Sequence, residues 1–288
     1  MATMTDQLRL VLPKGRMEAA AVDLMNRVGW TVAPTPGYRP TCGDPRVTIK
    51  LLKAANIPEL LEWGAHDVGF TGQDWVYETG ADIAELIDTG CGQVDVVAAA
   101  PIGMDPFAQA PDRPLIVASE YPRMVERFMR ERGAPYRLVR TFGATEVFPP
   151  EDADLIVDNT ATGDTLRTHG LEIIGRIYKS SLRLYANRGA LEDPRRRATI
   201  DELRLLLNGV LEARKRVLLD LNVSADRLER VVALLPAMKS PTIQALYGDA
   251  GYAVRAAVPR AEVKDVILRV VAAGATDILQ TPVDKVIA

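Results

Sequence analysis

Apolar positions along the chain come either in short unbroken runs or at helical spacing, and the two kinds alternate. Leu8 to Leu12 is a strand-length run. Pro13, Lys14, Gly15 and Arg16 follow as a loop, and Met17, Ala21, Leu24, Met25 and Val28 then share one face of a helix that Gly29 closes. Val47 to Leu52 predicts another strand, Asn56 and Pro58 open a helix through Trp63, and Asp67 to Phe70 is a short buried strand running into Thr71 and Gly72. A second series has strands at Val94 to Ala100 and Leu115 to Ala118, then a helix from Pro122 to Gly133 with Val125, Phe128 and Met129 on one face. Strand-like runs follow at Tyr136 to Val139, Ala153 to Val157 and Leu171 to Leu184, with a loop and short helix predicted between Asp158 and Gly170. Such alternation builds an α/β sheet.

Pro194 starts a long amphipathic helix on which Ile200, Leu203, Leu207, Val210 and Leu211 keep helical spacing towards Arg214, and it reads as a connector. From Lys215 the pattern changes. A strand at Val217 to Leu221 leads to a helix capped by Ser224 that carries Leu228, Val231, Val232 and Leu235. Strands at Thr242 to Leu246 and Tyr252 to Val258 come next, then a helix through Val263, Val266, Ile267, Val270 and Val271 ended by Gly274, and a last strand around Ile278. That order, βαββαβ, is the ferredoxin-like arrangement. At about 75 residues it is large enough to hold its own core.

Composition narrows the class of protein. Of 288 residues 48% are hydrophobic and 25% charged, which excludes disordered, collagenous and disulfide-scaffold chains. Thirty-five basic against 38 acidic residues give a net charge of -3, so no basic field is present to hold nucleic acid. Cys42 and Cys91, taken with His66 and His169, have no metal-ligand spacing, and both cysteines read as buried small apolar residues. Trp30, Trp63 and Trp75 read as core aromatics, and Arg195, Arg196 and Arg197 as a solvated helix start. The stretch from Met1 to Leu12 carries an acid and lacks the apolar centre of a signal peptide, and no run of 18 apolar residues occurs, so the expected location is the cytoplasm, with no membrane partner.

The segment richest in chemistry is Asp154-Leu-Ile-Val-Asp-Asn-Thr-Ala-Thr-Gly-Asp-Thr-Leu166. An apolar strand leads from Asp154 and Asp158 to a turn holding Asn159, Thr160, Ala161, Thr162, Gly163, Asp164 and Thr165, which opens a helix at Leu166. Amide N–H groups and hydroxyls at a helix start bind a phosphate monoester, Gly163 lets backbone approach the anion, and a carboxylate accepts hydrogen bonds from ribose hydroxyls. The pattern therefore suits a phosphoribosyl group. Taken alone it equally suits threonines and a glycine that only cap a helix, with acids that are solvated strand ends. Neither GxxxxGK[ST] nor GxGxxG after a strand is present, so a Walker or Rossmann nucleotide site is not indicated.

Together with Gly143-Ala-Thr-Glu-Val-Phe-Pro149, this segment resembles the ATP phosphoribosyltransferase family, the first enzymes of histidine biosynthesis. Leu12-Pro-Lys-Gly-Arg16, Asp67-Val-Gly-Phe-Thr-Gly-Gln-Asp-Trp-Val76 and Leu235-Pro-Ala-Met-Lys-Ser-Pro-Thr-Ile243 agree with the family in order and spacing. The resemblance spans nearly the whole chain, and the tail resembles the regulatory domain of the family's long form. It implies two cleft-forming α/β domains of periplasmic-binding-protein-like type plus a C-terminal ferredoxin-like regulatory domain. The expected division is residues 1–94 with 182–214, residues 95–181, and residues 215–288.

The resemblance further implies that Asp158 to Leu166, with Asp154 before them, binds the ribose and 5-phosphate of phosphoribosyl pyrophosphate, with Mg2+ on the diphosphate and Asp158 near that ion. Lys14, Gly15 and Arg16 would face phosphates, Thr71 and Gly72 would floor the cleft between Asp67 and Asp74, and Tyr121 and Glu146 would lie near it. Adenine N1 of ATP would attack the anomeric carbon with inversion and release pyrophosphate. The family implies no protein nucleophile, and no general base is assigned here. Asn159, Thr160 and Asp164 depart from the usual family wording, and a carboxylate at 164 repels phosphate unless it points outward. In the tail, Ser240-Pro-Thr242 matches a motif of the histidine-effector pocket, and Asp220 and Asn222 stand where the family often carries an acid. Feedback inhibition by histidine is expected, weaker if Asn222 removes a charge, and the family implies dimers assembling into hexamers. Competing readings are a non-catalytic small-molecule binder, a tail used only for assembly, and a phosphoribosyltransferase for a free base.

Overall fold

β1 (Leu8–Lys14) begins a βαβ-type first half: α1 (Glu18–Val28), a two-strand pair β2 (Val32–Ala33) and β3 (Thr41–Cys42), β4 (Val47–Lys53), α2 (Ile57–Glu62), β5 (Val68–Gly72) and α3 (Gln73–Thr79). β6 (Ala84–Pro101) then runs 18 residues into a second half of β7 (Leu115–Ser119), α4 (Pro122–Arg132), β8 (Tyr136–Arg140), β9 (Leu155–Thr160) and α5 (Asp164–Thr168). β10 (Leu171–Ala186) returns to the first half, and α6 (Arg188–Glu192) and α7 (Pro194–Arg214) follow. The computed structural model describes residues 7–108, 112–238 and 240–287. Met1 to Asp6, read above for a signal peptide, and Lys239, inside the tail motif, lie outside the described residues. The chain divides into two compact units, the first ending at Ile200 within α7.

In the first unit one eight-stranded sheet has the order β4-β1-β5-β10-β6-β9-β7-β8. β1 is parallel to β4 and β5, and β7 is parallel to β8 and β9. The three central pairings, β5 with β10, β10 with β6, and β6 with β9, are antiparallel. Two parallel half-sheets are thus joined through one long antiparallel ribbon. Their C-terminal ends meet at its middle: Gly72 of β5 pairs with Leu182 of β10, while Thr160 of β9 pairs with Asp95 of β6, itself opposite Lys179. In an open sheet with parallel strands, ligands bind at the carboxyl ends of those strands. The chain path therefore fixes the location of a cleft before any side chain is considered.

Apolar strand faces supply the packing. Val11, Ile57 and Leu61 are buried together beside β5, and Val96, Val117, Val125, Phe128 and Leu155 form the core on one side of the second half. At the start of β5 the carboxylate of Asp67, 1% exposed, accepts from the Arg9 guanidinium at 2.6 and 3.1 Å and from the Arg9 backbone N–H at 2.8 Å. Arg196 of the arginine run adds a contact at 3.2 Å, so that run is not wholly solvated, because a buried carboxylate needs charged partners.

In the second unit β11 (Arg216–Val223), α8 (Leu228–Val232), β12 (Thr242–Ala245), β13 (Tyr252–Pro259), α9 (Val263–Ala272) and β14 (Thr276–Pro282) form the expected βαββαβ order. The strands lie β12-β13-β11-β14, all pairs antiparallel. Val217, Leu219, Leu221 and Val223 alternate inward against Val231, Val266 and Val270 of the two helices. Val286 packs on the part of α7 that belongs to this unit, its N–H donating to the Gly209 carbonyl at 2.9 Å.

Four local expectations change. Trp63 is 70% exposed, because it follows the last residue of α2 instead of lying on its buried face. Cys42 and Cys91 are only half-buried, in a two-residue strand and in the middle of the ribbon. Ser224 makes no side-chain cap, because a short 3-10 turn at Ala225–Arg227 precedes α8. β6 begins ten residues before Val94, since ladder pairing with β10 orders Ala84 to Gln93 despite their polar and glycine-rich sequence.

Replacing Asp67 with Ala leaves Arg9 without its partner and is expected to lower unfolding free energy by about 3 kcal/mol. Arg196→Ala, which removes longer contacts to Asp67 at 3.2 Å and to Asp193 at 3.9 Å, is expected to cost about 1 kcal/mol or less. Urea unfolding of the two variants checks the order.

Candidate active site

β9 carries Asp158 to the cleft at its carboxyl end, and the turn beyond it is folded by its own side chains. The Gly163 N–H donates to Thr160 Oγ1 at 2.9 Å, and the Thr162 hydroxyl donates to Asp164 Oδ2 at 2.5 Å. Gly163 has φ +79°, a conformation that favours glycine. Arg167 pairs with Asp164 and donates to the Thr162 carbonyl at 3.4 Å. Asp164, 71% exposed, is thereby turned outward and neutralised, which removes the repulsion expected of it. α5 is a single turn of five residues with Leu166 buried beneath it, so anion binding here rests on the turn's hydroxyls and amides more than on a helix dipole.

Asp158 is partly buried, and its carboxyl is pushed up to about 6. Burial is the main cause, opposed by the Asn159 N–H that donates to it at 2.7 Å, and the negative charges of Glu120 and Glu146 raise it further. Burial likewise raises Glu120, which faces Lys53 from the first half and Arg140 from the second. Acids and bases from both half-sheets therefore meet across the cleft.

A hydrogen-bond chain ties the halves together beneath this surface. Asp74, at the start of α3, is fully buried; it accepts from Ser180 Oγ at 2.6 Å and from Tyr121 OH at 2.8 Å. Tyr121 OH in turn accepts from Asn159 Nδ2 at 3.0 Å, and its ring stacks on Trp75 at 4.5 Å. Gly72 precedes α3 because any Cβ there would stand 2.1 Å from Asp74 Oδ1. Asp74 and Tyr121 are thus supports of the Asp158–Asn159 corner. Thr71 is also buried, its hydroxyl donating to the Ala54 carbonyl at 2.9 Å.

The remaining expected residues divide. Lys14 ends β1 opposite Lys53 of β4, with its ammonium 3.1 Å from Tyr38 OH, and Gly15 N–H donates to Glu18 at 3.2 Å. Arg16 is exposed, and its guanidinium donates to the Gly92 carbonyl at the ribbon's middle at 3.5 Å. Glu146 lies in a 3-10 turn, Thr145–Val147, near Asp158. Asp154 is placed elsewhere: it precedes β9 at the far end of the strand, paired with Arg113 at 2.7 Å and accepting the Ile116 N–H at 2.7 Å. A strand rises about 3.3 Å per residue, which sets Asp154 roughly 20 Å from the turn and outside it. Lys53, Arg140, Glu120 and Arg167 were not singled out by sequence; for the first three, the position at or just after a strand end, parallel to that of Lys14, was the available signal, and for Arg167 its spacing three residues after Asp164 on a short helix.

In the second unit Asp220 and Asn222 lie on the sheet face away from the helices. Asp220 accepts from Arg255 Nε at 2.5 Å, and Thr242 is Arg255's neighbour across β12 and β13. Asn222 Nδ2 donates to Asp277 at 3.1 Å, and Ser240 is exposed just before β12.

Fold and cleft together define the class: an α/β protein whose charged and hydroxyl groups gather where two parallel half-sheets end. A family model described as ATP phosphoribosyltransferase matches residues 53–209, and one described as HisG, C-terminal domain, matches residues 213–285. The ATP phosphoribosyltransferase of Nitratidesulfovibrio vulgaris (strain DSM 19637 / Miyazaki F) is 37% identical over 98% of this chain and 99% of its own. That of Pelotomaculum thermopropionicum is 35% identical over 98% and 99%. A chain of the ATP phosphoribosyl transferase (HisG:HisZ) complex from Thermotoga maritima shares the fold, with a TM-score of 0.61 and 23% identity over 70% of this chain and 98% of that one. The chain belongs to the ATP phosphoribosyltransferase family, enzymes of the first step of histidine biosynthesis.

Because folding holds the Asp158 carboxyl at about 6, above its ordinary 3.8, its charged form is disfavoured in the fold, and that cost is fully present above about pH 6. Asp158→Asn is therefore expected to raise the thermal midpoint at neutral pH while lowering kcat/KM for the phosphoribosyl donor about 10- to 100-fold. In the parent enzyme kcat/KM is expected to fall as pH drops through about 6, and this step is lost in Asp158→Asn. The comparison separates Asp158 from the donor's own phosphates, which titrate in the same range.

Proposed function

We propose that the turn from Asp158 to Leu166 holds the ribose 5-phosphate end of phosphoribosyl pyrophosphate, and that ATP enters from the opposite wall. The meeting of the β5 and β9 ends at the middle of the β6–β10 ribbon carries this reading. The Asp158 carboxylate accepts hydrogen bonds from the ribose hydroxyls, and the Thr165 hydroxyl donates to the phosphate together with the Thr162 hydroxyl once that turns from Asp164. Asn159 fixes the rotation of Asp158 through its link to Tyr121 and Asp74. Lys14, Arg16, Lys53 and Arg140 offset the charge of two polyanionic substrates. Adenine N1 forms the bond to C1 of the ribose on one face while the bond to diphosphate breaks on the other, and the side chains act by position and charge.

Among the described residues no group of three or more His, Cys, Asp or Glu forms a metal cage. A single carboxylate beside a substrate diphosphate is the usual protein share of a Mg2+ site, and Asp158 fits that role. When bound, Mg2+ neutralises charge on the departing diphosphate. The lobes of this site comprise residues 1–94 with 182–214 and residues 95–181, followed by a regulatory domain of residues 215–288. Histidine binds on the open sheet face of that domain beside Asp220, Asn222, Ser240 and Thr242, and the working form is a homo-oligomer of dimers in a cytoplasmic enzyme. Asp277, held by Asn222, supplies the carboxylate that Asn222 itself lacks.

Purified enzyme given ATP, phosphoribosyl pyrophosphate and Mg2+ is expected to release pyrophosphate. Thr162→Ala and Thr165→Ala each raise the donor KM about tenfold with a smaller effect on the ATP KM. Unchanged donor kinetics in both variants contradict the assignment.

Histidine is expected to suppress pyrophosphate release. Asp277→Asn should raise the histidine concentration for half-inhibition about tenfold and leave the uninhibited rate unchanged. Histidine titrations of the two enzymes decide between an effector domain and one used for assembly alone.

A further inference from the structure

At the end of the first half-sheet remote from the cleft, where β1 and β5 begin, Arg9, Arg39, Thr48, Lys50, Leu60 and His66 help enclose a pocket of about 300 Å³. Its polar lining is composed of donors. Arg9 is occupied by Asp67. Lys50 is half-buried, and neither its ammonium nor the Arg39 guanidinium has an acid or hydrogen-bond partner among the described residues. Thr48 Oγ1 makes only a long contact, 3.4 Å, to the Leu8 carbonyl. Unpaired cations sharing a pocket repel one another, and half-buried Lys50 loses part of its hydration while Arg39 stays exposed.

His66 forms part of the same wall. Its side chain is nine-tenths buried, and Nδ1 is sealed in the interior without a partner. The ring meets the pocket with the surface that remains, which leaves Nε2 as its polar atom available to an occupant. Burial, then the charges of Lys50 and Arg9, hold the imidazole down at about 4, with Asp67 opposing and Arg39 adding to the depression. The ring is therefore neutral at physiological pH. With Nδ1 sealed in the interior, Nε2 is the ring nitrogen an occupant can reach, and the neutral ring can donate there as its Nε2–H tautomer.

We propose that this pocket binds a small phosphate anion, on Lys50 and Arg39 with the His66 Nε2–H and Thr48 hydroxyl completing the donor set. A tetrahedral dianion presents acceptors in several directions and matches a site made of cations and neutral donors. The site is separate from the cleft, since β1 and β5 run from one to the other. Occupancy screens Lys50, Arg9 and Arg39 from the imidazole and so raises its affinity for a proton.

The chain has two histidines, so the imidazole resonances report separately, His66 on this pocket and exposed His169, at the end of α5, on the turn proposed to hold the 5-phosphate. Inorganic phosphate added to the full-length enzyme is expected to shift the His66 signals and raise the pH at which they titrate, whether or not His169 responds to phosphate at its own site. Lys50→Gln and Arg39→Gln should each weaken the phosphate response about tenfold or more, the loss of one charged hydrogen bond. Lys50→Gln should leave the uninhibited transferase rate unchanged, which also verifies its fold. A His66 signal indifferent to phosphate, or an equal response in both variants, overturns the proposal.

Discussion

The register between β6 and β10 is the constraint from which the rest of the first unit follows. Each half-sheet hydrogen-bonds to a different stretch of the same two strands, β5 against Leu182 to Ala186 and β9 against Asp95 to Ala99. Both halves reach the ribbon with their carboxyl ends towards its centre, so their loops share one cleft without any contact between loops being required. The glycine-containing turn after β9, the start of α3 after β5 and the charged ends of β1, β4 and β8 are all consequences of that one pairing.

Electrostatics at the cleft run against stability. Asp158 is held among Glu120 and Glu146 in partial burial, a position that disfavours its charge. The fold tolerates it because Asp74, Tyr121 and Asn159 form a satisfied network below, in which a fully buried carboxylate finds two hydroxyl donors. Asp67 shows the contrasting use of the same residue type: there the carboxylate is surrounded by arginines and serves the packing of β1, β5 and α7. One acid is a cost accepted for binding, and the other is a structural tie.

Much of this was legible in the sequence. Short apolar runs located the parallel strands to within a few residues, and the whole βαββαβ tail followed from its alternation, because β11 buries every second residue against two helices. The turn after Asp158 was also legible, since glycine and hydroxyl residues after an apolar strand have few structural alternatives. What sequence could not show came from pairing and direction. Ala84 to Gln93 has no apolar run and is a strand because β10 holds it. Asp154 and Asp158 look equivalent in the text of the chain, yet a strand places its two ends far apart. Lys53, Arg140 and Glu120 become a set only when strands distant in sequence end together. Asp74 and Tyr121 are joined by a hydroxyl that no periodicity marks.

The shared ribbon also bears on how such a chain can diverge. A loop between α2 and β5, or after β8, can gain or lose residues with effects confined to its own half. Within β6 or β10 the same event acts on both halves, because removing one residue from a strand exchanges its inward and outward faces along the remaining pairing. The ladder already contains register shifts, five along its length, and three of them lie between Ser180 and Tyr185 beside the cleft. Those irregularities mark where the ribbon absorbs extra residues without reversing its faces. A change of length at the ends of the short strands is therefore confined to one half, while in the two long strands it is tolerated only where a bulge takes up the residue.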